Sequence, residues 1–475
     1  MQTLAAPFYG RCITPGLVRD LLTAFSDFFI DRGYVTTRPY LLEQDIGDGE
    51  IEIEVLPGVV EAVRYADSGD SDWRIASAFA FNDSVLNLRE LEASLEVLER
   101  PRSVQASFEI QPGSQQGGSI IAIETEEQAP LQVELGANAR TDVDPQLSFA
   151  ATLDNPLNLN DILEFRYNSG DIYQAYQSNR SREWQYSAPI GGYLLTYLRS
   201  DIAYRQRLQG SDGSFLSEGE SASDRLQLDK RVAHAQNWRL GVAVALELED
   251  SSNEFEGEEI EVSSYRTSKA ELAIRHDWFA SWGQLYSRYT YQQGLDSFGA
   301  RDDDFFTSEG GEENPATLQF EKHTLQLQAY FELPDPAWSI RTGALWQYSG
   351  DTLYDADKLF LGSESTVRGY NSALSGSNGW YARSDLVRRL QSVSPADGGI
   401  LRVKSISLSA GFDYGEIRCE DDNPDVCGEI YGIGAGLVLA DDNFNALLSW
   451  GRPLQRRPDG VGEEDVFLLD LRWRI

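Results

Sequence analysis

Nowhere in these 475 residues do apolar side chains run on for the ~18 positions that a membrane-spanning helix needs, which excludes a helical membrane protein. Basic charge is scarce: 40 Lys and Arg stand against 76 Asp and Glu, a formal net charge of −36. Binding to nucleic acid needs a basic field that displaces counterions, so no nucleic-acid partner is expected. Histidine and cysteine number three each, and His234, His276 and His323 are scattered, without the close His/Cys spacing of a zinc site. Walker loop, nucleophile elbow and HExxH are missing as well. No metal, no cofactor and no enzymatic reaction are expected. What the chain does have is aromatic side chains: 22 Tyr, 21 Phe and 10 Trp. Abundant aromatics without long apolar runs suit a transmembrane β-barrel, in which only alternate residues meet lipid and aromatic girdles mark both interfaces. A soluble β-rich protein has a similar composition, so pattern must decide.

The acid is clustered in SDGSFLSEGESASD, EDSSNEFEGEEIE, ARDDDFFTSEGGEEN and CEDDNPDVC, which lie between alternating apolar runs and read as solvated loops rather than a cation site. Cys419 and Cys427 flank the last of these at a spacing that can close as a local disulfide, as suits an oxidising compartment. Cys12 is left over beside a helix start and reads as a small buried hydrophobe.

Up to about residue 128 the grammar is mixed helix and strand. Thr14-Pro15 starts a helix, a capping residue followed by proline at the first helical position. Leu17, Val18, Leu21, Leu22 and Phe25 follow at helical spacing until Gly33. Ile51, Ile53 and Val55 then alternate with glutamates up to Pro57-Gly58. The pattern repeats: Asn87 and Glu90 make a capping box, Leu88, Leu91, Leu95 and Leu98 share a face, and Val104, Ala106, Phe108 and Ile110 alternate before Pro112-Gly113 and the partner strand SIIAI. Two small α+β units in tandem are expected.

Beyond residue 130 the period becomes two. Leu240 to Leu248, Leu325 to Leu333 and Phe467 to Ile475 each alternate apolar with polar residues, so each presents one greasy and one polar face. Several runs reach the ~9–11 residues that cross a bilayer at a tilt, longer than strands in soluble sandwiches. Short turns (190–193, 235–238, 440–443) interleave with the acidic connections, as in barrels with short periplasmic turns and long outer loops. The tally predicts an all-β transmembrane barrel of about sixteen antiparallel strands, an even number as bacterial barrels require.

Several segments resemble the TpsB outer-membrane transporters of two-partner secretion, the haemolysin/haemagglutinin secretion-activation family within the BamA superfamily. GRCITPGLVRDLLTAFSDFFIDRGYVTTRPYLLEQDIGDGEIEIEVLPGVVE resembles the family's first POTRA domain, and LNLRELEASLEVLERPRSVQASFEIQPGSQQGGSIIAI its second. LDNPLNLND resembles the first periplasmic turn of the barrel. GSESTVRGY resembles the VRGY/F motif of the sixth extracellular loop, which folds back into the lumen, and GFDYG the strand motif whose aspartate meets that arginine. The domains implied are 1–62 and 63–128, two POTRA units, and 129–475, the barrel. Family members begin with a signal peptide, a plug helix and a leading POTRA strand; Met1 falls close to the first POTRA helix, so these are expected to be missing. The chain ends at Ile475 where many barrels end in Phe, and Trp473 keeps the outward aromatic alternation.

The site residues that the resemblance implies are Val367, Arg368, Gly369 and Tyr370 on the lumen loop, and Gly411, Phe412, Asp413 and Gly415 on the strand. Arg368 is expected to pair with Asp413; without the resemblance, the same arginine would read as a solvated loop residue. The RGYVTTRxYLxxQD stretch contributes Tyr34, Thr36, Thr37, Gln44 and Asp45 as a region for substrate capture. Asp470, Arg472 and Arg474 face the lumen and read as a generic polar interior. The function implied is an outer-membrane translocator that takes an unfolded exoprotein, a TpsA-like adhesin or haemolysin, from the periplasm through its lumen. It is expected to be a monomeric barrel in contact with lipid and lipopolysaccharide. A BamA-type assembly factor is the alternative, and a passive porin a weaker one, since a POTRA-like module argues against it.

Overall fold

A computed structural model describes residues 2–47, 49–79, 84–141, 143–170, 178–210, 213–303, 316–371, 373–390, 403–419, 425–455 and 465–475. The chain divides into two compact units. One comprises Met1–Pro130 with the turns Leu153–Ile162 and Ala188–Gly192; the other is the rest of the chain from Leu131 onward.

In the first unit, helix Pro15–Ile30 begins where Thr14 Oγ1 accepts the Leu17 N–H at 3.2 Å, satisfying one of the otherwise unpaired donors of the first turn. Leu21, Phe25 and Phe29 form its buried stripe, against which Ile53 and Val55 of strand Ile53–Leu56 pack. That strand pairs antiparallel with Arg38–Leu41. The second α+β module places helix Leu88–Leu98 on a three-stranded sheet in the order Val59–Tyr65, Gly118–Glu127, Val104–Pro112. Asn87 caps this helix through Arg89 N at 3.0 Å, and Leu91 and Leu98 are fully buried against Val60, Ile121 and Ile123. Cys12, expected in the core, is exposed. It precedes the Thr14 cap in irregular chain, outside the helical stripe that reaches the core.

The second unit is a closed barrel of sixteen strands running from Leu131–Arg140 to Val466–Arg474, with the two-residue ribbon Glu258–Glu259 added to the end of one of them. First and last strands pair antiparallel from Arg140↔Leu468 to Glu134↔Arg474. Reciprocal backbone bonds between Val133 and Ile475 extend the ladder at one end. Closure leaves no sheet edge unsatisfied in lipid. Leu226, Val244, Leu272, Phe412, Leu448 and Phe467 are exposed on the outer face, the apolar half of each alternating run.

Two acidic segments expected as loops are strand. Residues 213–224 belong to Gly213–Ala235, which pairs with Tyr193–Gly210 along its length, and 249–255 belong to Trp238–Phe255. These strands hold 18 to 23 residues, about twice what a bilayer span requires, so the hairpins continue past the lipid. There both faces meet water and alternation is lost. Much of the third acidic segment (304–314) lies outside the described residues.

Candidate functional site

Between strands Trp338–Ser349 and Gly379–Leu390 the chain makes a long excursion, 350–378, that carries Arg368. A small hairpin within it, Leu359–Leu361 with Leu374–Gly376, packs through Leu359, Leu361, Val367, Tyr370 and Leu374 against Ile417 and Ile430 of the barrel wall. The loop thus brings its own apolar core, in which Val367 and Tyr370 flank Arg368.

Strand register explains how an arginine fits there. Asp385, Gly411, Gly434 and Gly451 stand directly opposite one another on four successive strands, Gly379–Leu390, Ser405–Ile417, Gly428–Ala440 and Phe444–Pro453. The row two residues along reads Arg383, Asp413, Gly432, Pro453. The wall is therefore a shallow trough with carboxylates on one side and no side chains over the glycines. A Cβ on Gly434 would stand 2.7 Å from Arg368 Cζ, and one on Gly451 2.9 Å from Arg368 Cβ. Glycine is disfavoured within strands except where something must approach closely; here it is the Arg368 side chain.

Arg368 is 3% exposed and Asp413 is fully buried. The Arg368 Nε and Nη2 atoms donate to the two Asp413 oxygens at 2.6 and 2.7 Å, a bidentate charge-assisted contact. The backbone N–H of Arg368 donates to the same carboxylate at 3.0 Å, and Nη1 donates to Asp385 at 2.8 Å. Arg383 in turn donates to Asp385 at 3.3 Å and to the Glu364 carbonyl of the loop. Ser449 Oγ donates to the Glu364 carboxylate at 2.7 Å. Every nitrogen of the guanidinium has a carboxylate partner, the condition for a buried charge to be tolerated.

The neighbours of Arg368 complete the seat. Gly369 has φ +88°, and a Cβ there would also run into the Pro453 nitrogen. Both conformation and space require glycine. Tyr370 is buried; its hydroxyl donates to the Tyr431 carbonyl at 3.0 Å and accepts the Gln455 N–H at 3.3 Å. Its carbonyl accepts from Arg140 on the first barrel strand at 2.8 Å. Val367 is fully buried, and Gly415 makes room for it. Phe412 points the other way and is half exposed on the outer face.

Asp385, Arg383, Glu364 and the glycines Gly432, Gly434 and Gly451 are residues that reading along the chain missed. A signal existed for the glycines: Gly432, Gly434 and Gly436 alternate through an otherwise apolar strand, YGIGAGL, and so share one face. Asp385 gave none, because only register brings it beside Gly411.

The other sequence-selected residues lie apart. Cys419 and Cys427 are disulfide-bonded. In the first unit, Thr37 Oγ1 accepts the Gly58 N–H at 3.2 Å, Gln44 bonds both the N–H and the carbonyl of Glu52, and Asp45 accepts the Gly47 N–H at 2.9 Å. Tyr34 packs on the Leu21–Phe25–Phe29 cluster. A Cβ on Gly58 would clash with Thr36. Gln44 and Thr37 brace the two ends of the Arg38–Leu56 hairpin, Asp45 bonds within its own turn and Tyr34 faces the helix.

The family model for the haemolysin secretion/activation protein ShlB/FhaC/HecB matches residues 117–439, the ShlB-type POTRA model residues 1–58, and a further POTRA model residues 59–112. Among curated relatives, the outer membrane transporter CdiB of Dickeya dadantii is 27% identical over 95% of this chain and 79% of its own length. CdiB-2 of Burkholderia pseudomallei is 28% identical over 96% of this chain and 77% of its own length. The solved structure of CdiB from Escherichia coli superposes with a TM-score of 0.88 at 23% identity, covering 100% of this chain and 87% of that one. The chain belongs to the ShlB/FhaC/HecB family of secretion proteins, an outer-membrane β-barrel transporter whose POTRA domains lie in the periplasm.

Proposed function

We propose that this barrel secretes one unfolded exoprotein, taken up by two POTRA domains that divide before strand Val59–Tyr65 rather than at residue 62, and passed through the lumen of the barrel (129–475). The observation that carries this reading is the seating of Arg368 across Asp413 and Asp385, which fixes a long loop against one wall of the lumen. A passive pore has no need of a buried ionic seat that covers part of its own cross-section. Strand Val104–Pro112 is the edge of its sheet, and an edge can take up an extended chain by main-chain hydrogen bonding. The sequence carries no nucleotide-binding loop, so folding of the exported chain outside supplies direction. The barrel acts as a monomer, with its apolar outer face against lipid and its protruding hairpins beside lipopolysaccharide. A haemolysin-like partner fits the matched family of haemolysin secretion proteins.

An assembly factor of the same superfamily is the second reading. Such a factor must offer a client strand an open edge; the continuous pairing of Leu131–Arg140 with Val466–Arg474 offers none. The deciding experiment is co-expression with a candidate exoprotein. Arg368→Ala and Asp413→Ala are expected to lower the secreted amount strongly while the barrel still inserts and keeps its heat-modifiable mobility. Full secretion by both variants would remove the seat from the mechanism.

A further inference from the structure

The proposed function leaves unused a second set of buried charges on the same loop. Asp357 and Lys358 are consecutive, and each is held from a different direction. Asp357 Oδ1 lies 2.9 Å from Lys322 Nζ, and Oδ2 lies 3.0 Å from Lys269 Nζ. The Asp357 carbonyl accepts from Lys322 and from Gln347 Nε2, each at 3.2 Å. Lys269 also reaches Glu249 at 3.3 Å. The side chains of Lys269, Asp357 and Lys322 are 5%, 7% and 11% exposed.

Register again shows how they meet. Lys269 stands opposite Gly294, whose N–H bonds the Phe320 carbonyl; Lys322 lies two residues beyond Phe320 and so on the same face. A Cβ at Gly294 would strike the Leu318 carbonyl. The two lysines, on strands separated by Gly283–Leu295, thus converge across a glycine on one carboxylate.

Lys358 is held by the neighbouring loop. Its Nζ lies 3.3 Å from Asp425, with side chains 6% and 3% exposed, and 3.1 Å from the exposed Asp355. Asp425 also accepts the Ser377 N–H at 3.0 Å. It lies within the segment closed by the Cys419–Cys427 disulfide, beside Val426, which exchanges two backbone hydrogen bonds with Ser375 of the lumen loop. Asp357 is therefore tied to the barrel wall and Lys358 to a disulfide-closed loop, while Arg368 and its apolar surroundings fix a different part of the same excursion.

The two fastenings differ in chemistry. Lifting the turn that bears Val367 and Tyr370 would expose apolar surface, which water resists. Lifting the leg that bears Asp357 and Lys358 would uncover Leu353 but would also return charges to water, where each regains the hydration it gave up on burial. We propose that Asp357 and Lys358 form a releasable fastening that keeps the loop leg closed across the pore mouth, and that this leg lifts while Arg368 stays seated. The proposal rests on reading the barrel as a secretion conduit.

Single-channel recording of the purified full-length protein in planar bilayers tests it, with no exported partner present, so the outcome is separable from any failure of secretion. Asp357→Asn and Lys358→Met are expected to raise open time or conductance several-fold, with unchanged heat-modifiable mobility; Lys322→Arg, which keeps the charge, stays near the parent. Should Asp357→Asn fail to fold, Lys358→Met and the paired Cys419→Ser/Cys427→Ser variant carry the same expectation. Folded barrels with parental open time and conductance in all of these would overturn the proposal.

Discussion

Two stretches of the barrel wall solve the placement of charge in opposite ways. Strands Gly379–Leu390 to Phe444–Pro453 bury theirs under the loop: Arg368 and Asp413 are 3% and 0% exposed and lie over glycines. On the long hairpins from Tyr193 to Phe255, Arg199 meets Asp224 in the open at 2.6 Å, with side chains 36% and 39% exposed. Both are short arginine–carboxylate contacts, and distance alone would rank them equal. Burial separates them. A buried pair broken from one side leaves an unpaired charge and costs about 3–5 kcal/mol, whereas an exposed pair is worth about 0–1 kcal/mol.

The sharpest way to break this comparison is to remove one partner from each pair. Asp413→Ala leaves Arg368 with Asp385 alone and is expected to weaken loop seating by about 3–5 kcal/mol. The effect is readable as faster hydrogen exchange and protease cleavage within 359–376 in the intact barrel. Equal protection in variant and parent would mean that the apolar hairpin, not the ion pair, seats the loop. Gly434→Ala comes next. It leaves both charges in place but sets a methyl 2.7 Å from Arg368 Cζ, so overpacking should cost about 1–3 kcal/mol on the same assay. Gly191→Ala in a periplasmic turn, where nothing lies within 4 Å of the added carbon, is the control for glycine removal as such, although its positive φ adds some local strain. Arg199→Ala should change barrel stability by no more than about 1 kcal/mol, and less in high salt.

The same contrast explains what the sequence disclosed. Helix starts at Thr14 and Asn87, the change to period two beyond residue 130 and the short turns are local signals, and each matches an element of the structure. The strand count followed because lipid on one side imposes alternation. Where lipid ends, in 213–224 and 249–255, alternation ends too, and strand passed for loop. Arg368 and Asp413 could be named only through resemblance, since 45 residues separate them and a lone loop arginine carries no mark of burial. Asp385, Asp357 and Lys358 carried no local sign either. Cross-strand register sets the surroundings of the first two and a neighbouring loop those of the third, and both depend on the folded barrel.

The smallest expected effect lies in the periplasmic unit and extends the comparison to an exposed carboxylate without a cationic partner. Glu61, on strand Val59–Tyr65, accepts the Ser114 hydroxyl, the Gln115 N–H at 3.2 Å and the Ser114 N–H at 2.8 Å at the Pro112-Gly113 turn. These donors favour the charged form, the Ser114 hydroxyl most, and hold its carboxyl below the ordinary range. A depressed folded value means that the contribution is present above the unfolded glutamate value near ~4.3 and is lost as pH falls through the folded one. Hydrogen exchange at residues 113–118 should therefore show the turn loosening as pH drops below the ordinary glutamate range, after correction for the intrinsic rate. Glu61→Gln should flatten that dependence. The effect should be small because the group is solvated, and a slope that persisted in Glu61→Gln would assign it to another carboxylate.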